Sequence, residues 1–257
     1  MAIINTKRGP KLLAMIQIRH SKDRGETRTD WLESRHSFSF GGYRDPRQMG
    51  FGRLRVINED LLVPGSGFGV HPHRDMEILT FMERGSLEHR DSIGNGSLIQ
   101  AGDVQRMTAG TGVRHSEFNP SEHDDTRLLQ VWIEPEERDL PPSYEQRSFG
   151  DGWQLVASRM GRGGSLAIHQ DVEVHRAKLT AGEGRSFALA PGRSAWIQII
   201  RGDVRIDGEV GDHLIGAGDG AALSDESKLE ITSLSSSHLL LFDLPPLERA
   251  QGEPKCP

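Results

Sequence analysis

Gly69-Val70-His71-Pro72-His73 and Val113-Arg114-His115-Ser116-Glu117 decide how this chain is read. Each stretch follows a glycine-containing turn, and each spaces two metal-binding side-chain types one residue apart. In a β-strand the side chains at i and i+2 point to the same face. His71 and His73 then aim two imidazoles at one point, and His115 and Glu117 add an imidazole and a carboxylate from a second strand. Three neutral imidazoles with one carboxylate suit a single first-row divalent ion per chain and leave coordination positions open for chemistry. Iron(II), zinc, manganese, nickel, copper and cobalt are all compatible; calcium, which seeks oxygen, is not. An isolated His-x-His carries little weight. Two such pairs a strand-turn-strand length apart carry much more.

The surrounding pattern is all-β. Apolar, β-rich runs of four to six residues, among them Arg53–Ile57, Ile78–Met82, Leu128–Ile133, Trp196–Ile200 and Leu239–Leu244, each end at Gly, Pro, Asn or Asp. No stretch keeps a helical apolar period, and Gly at 30 with Pro at 13 in 257 residues fits many tight turns. Jelly rolls or sandwiches follow. An internal repeat points to two of them. Arg84-Gly85 leads to Ala101-Gly102-Asp103, Arg201-Gly202 leads to Ala217-Gly218-Asp219, and an apolar strand follows each copy. The predicted organisation is a loose extension over 1–14, a first barrel over 15–134 with the metal site, a linker over 135–142, a second barrel over 143–246 and a tail over 247–257. Shifting the histidine pairs by the repeat offset lands on Ala188, Ala190, Ile231 and Ser233, none of which is an effective ligand. The second barrel is therefore expected to hold no metal. Its histidines, His169, His175, His213 and His238, are expected to be ordinary strand or surface residues.

A formal charge of −6 gives no basic stripe for nucleic acid beyond the short cluster Lys7, Arg8 and Lys11. The lone Cys256 can form no intrachain disulfide, which fits the cytoplasm. No apolar run approaches a membrane span, and no signal peptide is expected. Gly161-Arg162-Gly163-Gly164 lacks the lysine and helix of a phosphate loop. Trp132, Phe118, Phe51 and Met76 are candidates to line an apolar pocket or, equally, to be plain core.

The spacing Gly65 through His71-x-His73 to Glu77 resembles the first cupin motif, with Gly85 one residue late. Gly102 through Gly110-Thr-Gly112 and His115 to Asn119 resembles the second, with a two-residue insertion and Gly110 where proline is usual. HPHRDMEILT (71–80) and AGTGVRHSEFNP (109–120) resemble the pirin family more specifically, in particular its bacterial members with quercetin 2,3-dioxygenase activity. The likeness continues through WLESRHSFSFGGYRDP (31–46), FGRLRVINED (51–60), YEQRSF (144–149) and LLLFDLPP (239–246). It implies two tandem cupin barrels, a monomer, and a metal-dependent dioxygenase that cleaves a flavonol such as quercetin with dioxygen to a depside and carbon monoxide. The alternative it carries is a redox-sensing regulatory protein that acts through a protein partner. Many cupins take their carboxylate ligand from the first motif, here Glu77. That residue lies four positions past His73, about 13 Å along an extended strand, whereas Glu117 already shares a face with His115. The pirin pattern also places the ligand at Glu117, which would serve as ligand and base together; Glu77 is left as a partner for a ring N–H or as a member of a buried ion pair.

Overall fold

The computed structural model describes residues 14–247. The basic cluster Lys7, Arg8 and Lys11 and the cysteine Cys256 lie outside the described residues. The first half runs β1 (Met15–Arg19), β2 (Gly25–Arg28), β3 (Leu32–His36), β4 (Leu54–Leu62), β5 (Gly67–His73), β6 (Glu77–Arg84), β7 (Ser86–Asp91), β8 (Gly96–Gln100), β9 (Asp103–Thr108), β10 (Val113–Phe118) and β11 (Thr126–Ile133). The second runs β12 (Ser143–Ser148), β13 (Gly152–Arg159), β14 (Leu166–Ile168), β15 (Glu173–Leu179), β16 (Gly184–Ala188), β17 (Ser194–Arg201), β18 (Val204–Gly208), β19 (Gly211–Ile215), β20 (Gly220–Ser224), β21 (Lys228–Ser233) and β22 (Ser237–Leu244). The five apolar runs named from the sequence fall in β4, β6, β11, β17 and β22.

Each half folds a large sheet against a small one. The first pairs β12-β9-β6-β11-β4-β3-β2 with β5-β10-β7-β8; the second pairs β1-β20-β17-β22-β15-β13-β14 with β16-β21-β18-β19. The common part of these orders is identical, so the repeat is one fold written twice. Its anchors do the same work in both copies: β6 ends at Arg84 and β17 at Arg201, and the next residues, Gly85 and Gly202, turn at φ of 75° and 77°. Hydrogen bonding departs from chain order at two places. β1 pairs antiparallel with β20, Met15 opposite Ser224, and β12 pairs antiparallel with β9, Ser143 opposite Thr108. Each half thereby lends an edge strand to the other's large sheet and covers an edge that would otherwise be open.

The central strands of the large sheets are buried on both faces, which explains why they read as near-continuous apolar runs. One face packs sheet on sheet between the halves. Ile57, Leu79, Phe81, Leu129 and Val131 meet Val156, Val174, Trp196, Leu240 and Phe242 in one core. Residues of opposite parity point into the barrels. In the first barrel, apolar clusters around Met82, Leu87 and Leu128 and around Ile78, Met107 and Val113 leave a middle layer that is polar. Asn58, Asp60, Thr80, Gln105 and Gln130 alternate with the core residues on β4, β6, β9 and β11, and all five are buried.

Candidate metal centre

β5 and β10 pair antiparallel with His115 directly opposite His71, and a bulge separates His115 from Glu117. The approach at that bulge is close. A Cβ on Gly67 would collide with the backbone of Glu117 and Phe118, so only glycine allows β5 to lie where it does. The three imidazoles converge. Ring centroids are 4.8 Å apart for His71 and His73, 4.4 Å for His71 and His115, and 4.8 Å for His73 and His115. Their potential ligand atoms lie within 4.8 Å of one another.

Hydrogen bonding shows which nitrogens are free. His71 Nδ1 donates to the Gly69 carbonyl at 2.8 Å, leaving its Nε2 as the lone pair. The Nε2 atoms of His73 and His115 are buried with no hydrogen-bond partner. Glu117 is buried, one oxygen accepting from Gln130 Nε2 at 2.8 Å and Oε1 having no partner. Buried polar atoms without partners are rare and costly. Three imidazole lone pairs around one point, with an unpaired carboxylate oxygen close to His115, are what a divalent ion would satisfy, so the donor set fits the implied metal. The grouping is not uniform. Glu117 lies within the same short reach of His115 and His89, and joins the three-histidine cluster through His115.

Burial holds His115 down to about 2, reinforced by the charges that His71, His73 and His89 would carry. Burial, with His71, holds His73 at about 4. Both rings are therefore neutral near pH 7, the form that binds metal. Burial pushes Glu117 up to about 7 against the opposing Gln130 hydrogen bond, with the nearby Asp60 adding to the rise.

Glu77 does not serve the histidines. Its oxygens accept from Thr108 Oγ1 and from His169 Nδ1, both at 2.9 Å, which makes it the buried partner of a second-half histidine. His238 likewise reaches Glu83 at 2.9 Å. Two of the histidines read as ordinary thus tie the halves together. The apolar candidates also divide: Trp132 lines the metal cavity, Phe51 packs on the shared core, Met76 joins the cluster around Ile78, and Phe118 is exposed.

That cavity has a volume of about 270 Å³ and opens beside His71, His73 and Glu117. Phe40, Phe68 and Trp132 supply aromatic walls, and Ser34, His36, Asn58 and Asp60 form a polar wall. His36 Nδ1 pairs with Asn58 Oδ1 and its Nε2 with Thr27 Oγ1, both at 2.8 Å; Ser34 Oγ donates to Asp60. Asp60 is buried, and burial raises its carboxyl to about 6. Sequence reasoning missed this wall, and also His89, because these residues lie on β3, β4 and β7 rather than on the ligand strands, and Ser34, Asn58 and Asp60 are ordinary polar residues that do not mark a metal site.

In the second barrel, strand pairing gives a sharper comparison than a constant offset. Where the first barrel sets His115 opposite His71 and Glu117 opposite His89, the second sets Leu229 opposite Phe187 and Ile231 opposite Ile206. All four are buried in an apolar cluster and offer no donor atom.

Family models for pirin and for the quercetinase C-terminal cupin domain match residues 17–133 and 155–244. The chain is 48% identical over 235 residues to a quercetin 2,3-dioxygenase of Escherichia coli K12, an alignment covering 91% of this chain and all of that one. The chain belongs to the pirin family. Among solved structures, the nickel(II) complex of the bacterial pirin YhhW from Escherichia coli superposes with a TM-score of 0.87 at 48% identity, over 91% of this chain and all of that one. YhaK from the same organism gives 0.71 at 33% identity, over 81% of this chain and 92% of that one.

Two outcomes test the site. Elemental analysis is expected to find about one transition-metal ion per wild-type chain and at least a tenfold lower content in His71→Ala and Glu117→Gln; unchanged content in both variants would refute the assignment. Asp60 tests the polar wall. Its folded-state carboxyl sits above the ordinary 3.8, so the contribution of Asp60 to stability is greatest below about pH 4 and falls as pH rises to about 6, by roughly 3 kcal/mol. Asp60→Asn removes that loss. It is expected to exceed the wild type in denaturant unfolding at pH 8 by up to that amount and to match it near pH 4; a difference that does not change with pH would contradict the reading.

Proposed function

We propose that this pirin is a metal-dependent dioxygenase acting on a flavonol-like aromatic, quercetin being the model substrate, with His71, His73, His115 and Glu117 as ligands of a single ion. The observation that carries the proposal is the composition of the cavity beside those ligands. A planar polyhydroxylated aromatic needs apolar faces to stack on and polar groups for its rim. Phe40, Phe68 and Trp132 provide the first; His36, Asn58 and Asp60 provide the second. The quercetin 2,3-dioxygenase name carried by the Escherichia coli relative supports the same reading.

When bound, a divalent ion supplies Lewis acidity that lowers the pKa of a coordinated substrate hydroxyl. The chain's own residues do the rest. The aromatic walls hold the ring system and exclude water, and Asp60 with Asn58 orients the distal hydroxyls. Glu117, ligand and base together, is the group placed to take the proton of the reacting hydroxyl. Iron(II) is our first choice of metal. The nickel(II) held by YhhW supports a late first-row ion in general rather than iron in particular. We further propose a cytoplasmic monomer. None of the described helices is long and apolar enough to cross a membrane.

Incubation of metal-loaded protein with quercetin in air should release carbon monoxide in proportion to metal content, and His115→Ala should lower the rate at least a hundredfold. No metal-dependent release, with His115→Ala equal to the parent, would sink the proposal.

A further inference from the structure

His89 is the buried residue that the proposed chemistry leaves unused. It projects from β7 opposite Glu117, has no exposed surface, and packs its ring 4.8 Å from that of Tyr144, which β12 brings across from the other half of the chain. Its two nitrogens are both engaged. Nε2 meets Asp91 Oδ2 at 3.2 Å, and Nδ1 meets Nδ1 of His115 at 3.4 Å. Asp91 is held in turn by its own loop: Oδ1 accepts from the backbone N–H of Ile93 at 3.0 Å and of Asn95 at 2.9 Å, and Oδ2 accepts from Asn95 Nδ2 at 2.8 Å.

We infer that Asp91 and His89 are positioning residues that fix the tautomer of His115 and so prepare its Nε2 to bind metal. The inference rests on His115 being a metal ligand. A carboxylate only accepts, so His89 must carry its proton on Nε2. A neutral His89 then presents a lone pair at Nδ1, and His115 must donate its Nδ1–H to it. His115 Nε2 is left unprotonated, and that is the buried atom found without a hydrogen-bond partner beside His71 and His73. Each step follows from which atoms can donate and which can only accept. The ligand's outer nitrogen is thus controlled by a histidine and a carboxylate in series, a longer form of the usual carboxylate–histidine support of a metal. His89 as a direct ligand is the competing arrangement, because its nitrogen also lies near His115 and Glu117. The relay is favoured because His89 spends both nitrogens on partners, while the Nε2 atoms of His73 and His115 have none.

Asp91→Asn reverses the logic. The amide can donate to His89 Nε2, which moves the His89 proton to Nδ1 and forces that of His115 to Nε2, where it blocks the metal. His89→Phe keeps the packing on Tyr144 and removes the acceptor. Two readouts are needed. Nitrogen-15 spectra of metal-free protein should show His115 protonated at Nδ1 in the wild type and at Nε2, in whole or in part, in Asp91→Asn. Nickel(II) affinity, measured by chelator competition, should fall 10- to 100-fold in both variants, with apoprotein melting temperatures within a few degrees of the wild type. His115 protonated at Nε2 in the wild type, or an Asp91→Asn affinity within twofold of the parent, would overturn the relay. So would two nickel ions per wild-type chain with one lost in His89→Phe. A wild type that binds no nickel at all would instead overturn the metal-site assignment, and the spectra would still report the tautomer. Should Asp91→Asn fail to fold, the wild-type spectrum and His89→Phe decide the question.

Discussion

A carboxylate buried in a barrel interior cannot be left half satisfied. Glu117 has lost its water, has one hydrogen bond from Gln130, and keeps its second oxygen free beside imidazole nitrogens that are free as well. An isolated ionised carboxylate buried in this way would cost many kcal/mol, and even the protonated acid with no partner costs one to several. A cation at the centre of the cluster would satisfy these atoms together. Other features of the first barrel follow from supporting it: glycine at position 67 so that β5 can approach the β10 bulge, the Gly69 carbonyl on His71, and Gln130 on Glu117.

The second barrel shows what the same fold does without this demand. Its strand order repeats that of the first, and its interior is filled by Phe187, Ile206, Leu229 and Ile231. An apolar filling needs no partners and no ion, and it gives stability by burial alone. One barrel is thus filled with apolar side chains, and the other is lined with potential ligands. The packing barrel is not idle. Its large sheet forms half of the shared core, its His169 and His238 pair with Glu77 and Glu83 of the first half, and Arg176 donates to the carbonyl of Gly102 at 2.8 Å. β12 carries Tyr144 to the side of His89, so the candidate site borrows a residue from the second half of the chain.

Much of this was legible in the sequence, for identifiable reasons. Strands buried on both faces advertise themselves as apolar runs, and β4, β6, β11, β17 and β22 were found that way. The repeat was visible because its anchors are Gly turns, where conformation dictates the residue. His71, His73, His115 and Glu117 stood out because period-two spacing on one strand is local. The rest is long-range. Nothing local marks β1 as a strand of the second sheet or β12 as a strand of the first, since edge pairing is decided by what each sheet leaves uncovered. His89 with Asp91, Ser34 with His36 and Asn58 with Asp60 share the period-two spacing, but they lie on other strands, and only the closing of the barrel brings them to the site. A fixed offset of the repeat also misplaced the comparison on both strands, since Phe187 and not Ala188 takes the place of His71. Strand pairing sets Leu229 and Ile231 in the places of His115 and Glu117, where counting pointed to Ile231 and Ser233.

The account stands on one ion held between β5 and β10 of the first barrel. Anomalous diffraction from metal-loaded crystals, collected at the absorption edge of the loaded ion, tests it most directly. The account predicts one peak per chain, within about 2.3 Å of Nε2 of His71, His73 and His115 and of an oxygen of Glu117, with none in the second barrel. A peak centred on His89 without His71 and His73, or a second peak among Phe187, Leu229 and Ile231, would contradict it.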